Sequence, residues 1–255
     1  DKALALGCHD THFVNPHGLH DDNHYTTAKD LAYITKHAMS LPNFMEITST
    51  VTSKVMGEDK YPLITTNLMI DKVRGGKYYY QYAKGIKTGH TDQAGRCLVS
   101  SAVNNGYTYL CVALGAPSKD ENGNEIQDNF AMLDSRSLYE WAFKNLKMKQ
   151  VVNKNSPLGE TTLKLSTKHD RVLLYPLANY SILLPKDVNV SSIDVSLNVP
   201  KAINAPVKTG QKIGTATLKY ANVELSTIDV VANEDIEANI FLTIIAASSS
   251  ITSLY

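Results

Sequence analysis

The period of the hydrophobic pattern changes near residue 149, and that change limits the chain to two bodies of different class. Beyond it, short runs alternate in step two: Thr161-Leu163-Leu165, Ile193-Val195-Leu197-Val199 and Val223-Leu225-Thr227. Pro, Gly, Asn and Asp separate them. Step two is the period of a half-buried strand, and no long helical period returns. Residues 149–255 are therefore expected to form an all-β, sandwich-like domain. Before the change, both periods occur. Thr27-x-x-Asp30 has the form of a capping box, Leu31, Ile34, Ala38 and Leu41 follow at helical spacing, and Pro42 stops the helix at about Leu41. Residues 98–103 and 107–114 are strand formers around Asn105-Gly106, which predicts a hairpin with a type I′ turn. A helix is expected from about 130 to 146, burying Leu133, Leu138, Trp141 and Phe143 or their neighbours. The Thr-rich stretch 47–56 reads as strand or extended loop, and 67–73 as a short helix ended by Gly75-Gly76. The fold class expected for residues 1–148 is α+β.

At 255 residues and 43% hydrophobic content the chain can build two cores. Its formal net charge is zero, so nothing points to a nucleic-acid partner. The longest apolar run, 240–247, falls short of the roughly 18 residues of a membrane span. Three cysteines give no disulfide framework. In the expected hairpin Asn104 faces Tyr107 and Cys97 opposes Leu114, which puts Cys97 and Cys111 on opposite faces of the sheet. Free, mostly buried thiols are expected.

The chemistry is concentrated in Gly85-Ile86-Lys87-Thr88-Gly89-His90-Thr91, with Ala94-Gly95 just after. A cation and a hydroxyl on one strand edge can hold a carboxylate, and Gly at the third place leaves the approach open. Lys-Thr-Gly on a strand is one of three signatures of penicillin-recognising serine acyl enzymes, beside Ser-x-x-Lys and Ser-x-Asn. A second run precedes it: Thr11-His12-Phe13-Val14-Asn15-Pro16-His17-Gly18-Leu19, then His24-Tyr25-Thr26-Thr27-Ala28-Lys29-Asp30-Leu31-Ala32.

Together these runs resemble the low-molecular-mass penicillin-binding proteins of the D-alanyl-D-alanine carboxypeptidase type. The resemblance covers roughly residues 1–148 and extends more loosely to 205–214, which look like a turn of that family's C-terminal β domain. It implies a partial penicillin-binding, β-lactamase/transpeptidase-like domain over 1–148 and a β domain over 149–255. It also implies a serine-type carboxypeptidase that removes the terminal D-Ala of peptidoglycan stem peptides through an acyl-serine intermediate, and that β-lactams acylate. Lys87, Thr88 and Gly89 would bind substrate, and the backbone N–H of His90 would be one of two oxyanion donors. No cofactor or metal is implied. The implied location is extracytoplasmic, in the cell envelope at the outer face of the cytoplasmic membrane, with association through a segment beyond Tyr255.

No Ser-x-x-Lys occurs in the 255 residues, and Ser196-Leu197-Asn198, the sole Ser-x-Asn, follows Lys-Thr-Gly inside a strand-like alternation. The nucleophile, its lysine and the middle motif are therefore expected in a missing N-terminal part of the same protein, and this chain alone is expected to be inactive. The alternative is a non-catalytic cell-wall peptide-binding module of the same fold. The family often carries an Arg before the Trp-containing helix to help hold the carboxylate. Ala131 and Met132 stand there in this chain, and Lys119 is a candidate substitute. His9, His12, His17, His20 and His24 invite a zinc reading, but no Asp, Glu or Cys set with firm ligand spacing accompanies them, and loop hydrogen bonding is expected. Tyr78-Tyr79-Tyr80 is expected to serve packing more than sugar binding.

Overall fold

The structure, a computed structural model, describes residues 2–55 and 58–245. It divides into two compact units, Asp1–Lys144 and Asn145–Tyr255.

The first unit is α+β. Its elements are α1 (Lys2–Ala5), α2 (Ala28–Ala38), α3 (Phe44–Ser49), β1 (Thr52–Val55), β2 (Glu58–Ile64), β3 (Ala83–Thr91), β4 (Gly95–Asn104), β5 (Tyr107–Ala116) and α4 (Phe130–Asn145). β1 and β2 form an antiparallel pair, and β3-β4-β5 an antiparallel sheet in that order. α3 packs against β3, and α2 against β5. Asn105 and Gly106 both take positive φ, 50° and 80°, as a type I′ turn requires, and Asn104 pairs with Tyr107. The register holds as far as Leu98 opposite Ala113 and then shifts, so that Arg96 opposes Ala116. Leu114 and Gly115 thus lie against Cys97 alone. This β-bulge, with Gly115 at φ 72°, replaces the expected Cys97–Leu114 pair. All three thiols are free; Cys8 is buried, Cys97 and Cys111 half-buried.

α4 is the helix expected near 130–146, but it buries a different stripe. Ala131, Ser135 and Tyr139, one turn apart, face the core with Met132, whereas Leu138 and Trp141 are more than half exposed. Tyr139 Oη meets Ser100 Oγ of β4 at 2.9 Å in a fully enclosed pair. Tyr139 stacks on Tyr80, the buried member of the tyrosine run; Tyr78 and Tyr79 are half-buried. Leu98, Ala102 and Met69 complete this core.

Three local readings need correction. Within 47–56, residues 52–55 form the strand expected, but 47–49 close the helix α3, where the Thr48 and Thr50 hydroxyls bond back to the carbonyls of Phe44 and Glu46. Residues 67–73 are turns, held by the Asp71 carboxylate accepting from the Val73 and Arg74 N–H groups. The capping box of α2 is half used. Thr27 caps Asp30 N–H, while the buried Asp30 carboxylate accepts from Asp10 N–H and the Thr11 hydroxyl instead.

The second unit is dominated by strands. β6 (Leu146–Val152) pairs with β9 (Tyr180–Pro185). The others form a six-stranded sheet, β10-β12-β13-β8-β7-β11. They are β7 (Gly159–Lys164), β8 (Arg171–Pro176), β10 (Asp194–Asn198), β11 (Ala202–Asn204), β12 (Lys212–Tyr220) and β13 (Val223–Ala232). One core gathers Leu174, Val207, Ala216 and Val230, another Val152, Leu184 and Leu218, giving the sandwich-like character expected. Ser196-Leu197-Asn198 lies within β10, paired to β12. Residues 240–245 are helical. Asn239 starts the turn, its carbonyl accepting from Thr243 N–H and its side chain from Leu242 N–H. Positions 246 and 247 lie outside the described residues. Among the described residues no helix is long and apolar enough to cross a membrane.

Candidate active site

β3 is an edge strand, paired on one side to β4, and its other edge opens on a cleft of about 700 Å³ in the first unit. Lys87, Thr88, Gly89 and His90 line it together. Lys87 is exposed and donates from Nζ to its neighbour's carbonyl, Thr88 O, at 2.6 Å. The Thr88 hydroxyl is in contact with the Thr66 hydroxyl, from the segment after β2. A Cβ built on Gly89 would touch only Cys97 Cβ, at 3.7 Å, so the fold leaves room there and keeps the strand surface bare on the cleft side.

The opposing wall is the Pro16-His17-Gly18 turn. It is held within its own loop: Asn15 Oδ1 accepts from Gly18 N–H at 2.8 Å, and Asn15 Nδ2 donates to Leu19 O at 3.0 Å. His12 and Tyr25 close the loop as an antiparallel bridge, with N···O distances of 2.9 and 3.0 Å. The histidines work here as loop ties. His12 Nδ1 lies 2.6 Å from Asn23 O, His17 Nδ1 accepts from Leu19 N–H, and His24 Nδ1 accepts from Val14 N–H. Among the described residues no three His, Cys, Asp or Glu side chains are placed to hold a metal ion.

At the far end the cleft meets Asn129 and Met132, at the start of α4, and Arg96 and Cys97 on β4. Ala131 and Met132 are 1% and 2% exposed, so the helix position of the family arginine is filled by core side chains. Lys119 pairs with Asp92 at 3.4 Å and is not part of the cleft lining. Arg96, which the sequence reading passed over, sits directly opposite His90. It donates from Nη1 to Asp128 O at 2.7 Å and approaches Glu125 at 3.8 Å. Among the described residues no Asp or Glu lines the cleft, and the charged side chains that do are Lys87 and Arg96. Two cations and a hydroxyl beside a bare glycine edge are groups that can pair with a carboxylate.

Residues 1–118 match the family model described as D-alanyl-D-alanine carboxypeptidase. Residues 146–238 match that of the penicillin-binding protein 5 C-terminal domain. D-alanyl-D-alanine carboxypeptidase DacF of Bacillus subtilis is 28% identical over 244 residues, covering 95% of this chain and 58% of that protein. DacA of Haemophilus influenzae is 29% identical over 241 residues, covering 92% of this chain and 56% of the relative. Among solved structures, penicillin binding protein 5 from Haemophilus influenzae superposes with a TM-score of 0.65 at 25% identity, over 92% of this chain and 64% of that one. The chain belongs to the D-alanyl-D-alanine carboxypeptidase family of low-molecular-mass penicillin-binding proteins. It spans a little over half the length of the curated relatives named here.

Proposed function

We propose that the full-length protein is a serine-type D-alanyl-D-alanine carboxypeptidase and that these residues supply its substrate clamp. A serine hydroxyl outside this sequence attacks the carbonyl of the penultimate D-Ala, the terminal D-Ala leaves as the free amino acid, and water releases the acyl group from serine. Lys87 and Thr88 hold the terminal carboxylate by charge and hydrogen bond. The His90 N–H donates to the oxyanion, a contact whose loss typically costs about 2.7–4 kcal/mol of transition-state stabilisation. β-Lactams enter the same clamp and acylate the same serine. The observation that supports this reading best is the cleft itself: Lys87, Thr88, Gly89 and His90 on one open strand edge, with no carboxylate in the lining.

The work on stem peptides belongs outside the cytoplasm, in the cell envelope at the outer face of the cytoplasmic membrane, with membrane association through a segment beyond Tyr255. The 255 residues hold no Ser-x-x-Lys, so this chain alone is expected neither to release D-Ala nor to react covalently with penicillin. That absence also favours, as a second reading, a non-catalytic module that binds cell-wall peptides. Labelling with a fluorescent penicillin, followed on a denaturing gel, separates the two. The enzyme reading expects a stoichiometric covalent band from the full-length protein and none from residues 1–255 alone. Saturable but non-covalent binding by the full-length protein supports the module instead, and a covalent band from the isolated chain places a nucleophile where none is proposed.

A further inference from the structure

We propose that Arg96 is the second cation of the carboxylate clamp, supplied by β4 in place of a helix arginine; the inference rests on the clamp reading above. Thr88 pairs with Leu98 and His90 with Arg96, so Thr88 and Arg96 are diagonal neighbours on one face of the sheet. Such neighbours lie about 7–8 Å apart, within reach of a long side chain. The Arg96 side chain is one-fifth exposed, which leaves it open to a ligand while weakening the screening of its charge.

Its position is fixed from behind. Nη1 is tied to the Asp128 carbonyl, just ahead of α4, and Nη2 stands 3.8 Å from Glu125 Oε2. A guanidinium has five N–H donors in a planar fork, so these contacts leave donors for a carboxylate, and a fork suits two carboxylate oxygens. The helix itself can offer no cation at this end of the cleft, since Ala131 and Met132 are packed into the core and Lys119 turns to Asp92. Lys87 and Arg96 both line the cleft that holds the Thr88 hydroxyl, so a terminal carboxylate bound there meets two positive groups.

A merely structural Arg96 would staple the loop before α4 to β4 and do nothing for the ligand. The test compares acylation of the full-length protein by benzylpenicillin and by its methyl ester, which lacks the negative charge. Arg96→Gln keeps a donor for the Asp128 carbonyl and removes the cation; Arg96→Lys keeps a cation and loses the fork. The expected result is a fall on the order of 10- to 100-fold in the acylation rate with benzylpenicillin for Arg96→Gln. A smaller fall is expected for Arg96→Lys, with an unchanged rate towards the ester in both. Equal losses on acid and ester, or an Arg96→Gln rate within twofold of wild type, overturn the inference and leave the clamp of Lys87 and Thr88 standing. Wild-type protein that forms no covalent adduct overturns the enzyme reading, and this inference with it.

Discussion

Replacing Tyr139 by Phe removes one oxygen from the best-enclosed polar pair of the first unit. Tyr139 and Ser100 are 2% and 0% exposed, and their oxygens lie 2.9 Å apart. Burial pushes the Tyr139 hydroxyl well above the ordinary phenol range, so it stays a neutral partner to high pH. In Tyr139→Phe the ring still stacks on Tyr80, but the Ser100 hydroxyl is left without a partner, a cost of about 1–3 kcal/mol. Ser100→Ala removes one partner of the Tyr139 hydroxyl and leaves it the Cys111 backbone N–H, so its cost lies at the lower end of that range. The double variant strands neither, so it should lie within about 1 kcal/mol of wild type rather than at the sum. For a body of this size each kcal/mol moves the thermal midpoint by about 2–4 °C. The single tryptophan of the chain, Trp141, sits on α4 two residues from Tyr139, so its fluorescence follows the unfolding of this unit. Single variants that each lose less than about 0.3 kcal/mol, or a double variant whose loss equals their sum, would refute the pairing. The pair also matters for the cleft, because Ser100 lies opposite Ile86, next to Lys87 in β3.

Four further outcomes follow from the same structure. Lys87→Ala in the full-length protein should slow penicillin acylation by at least about tenfold with a near-unchanged melting midpoint, because Lys87 is exposed on the cleft; a loss that tracks unfolding speaks against a binding role. Gly89→Ala should fold within about 0.5 kcal/mol of wild type yet acylate more slowly. Gly95→Ala should lose at least about 1–3 kcal/mol in urea titration, since Gly95 has φ 64° and a Cβ there would sit 2.6 Å from Ala116 O. Asp71 is held below the usual carboxylate range by the Arg74 N–H, then by the Arg74 guanidinium and the Val73 N–H. Its folded-state value is depressed, so its contribution is complete above about pH 4, the unfolded value, and fades as the pH falls through the folded value. Asp71→Asn should therefore be less stable than wild type at pH 7, with the gap closing in strong acid, as read by urea unfolding.

The parts of the fold that were legible in the sequence are those fixed by backbone chemistry. Asn105-Gly106 demanded a type I′ turn, and step-two alternation demanded strands beyond residue 149. Residues whose hydrogen bonds depend on their neighbours were misread. Thr48 of α3 and its C-cap Thr50 look like strand formers, but their hydroxyls bond to carbonyls one turn back. The stripe on α4 was hidden because Ala131, Ser135 and Tyr139 are less apolar than Leu138 and Trp141. Tyr139 is drawn inward by the Ser100 hydroxyl on β4, a partner far away in sequence. In the cleft, Lys87 to His90 were found through their motif. Arg96 was missed because its place depends on the β3–β4 register and on the Asp128 carbonyl, neither of which leaves a local signal.

The most direct measurement is a crystal structure of the full-length protein acylated by a β-lactam. The account predicts the lactam carboxylate against the Thr88 hydroxyl, between Lys87 Nζ and the Arg96 guanidinium, with the ester carbonyl oxygen accepting from the His90 N–H. A covalent adduct whose carboxylate lies away from β3, with Lys87 and Thr88 untouched, would contradict it.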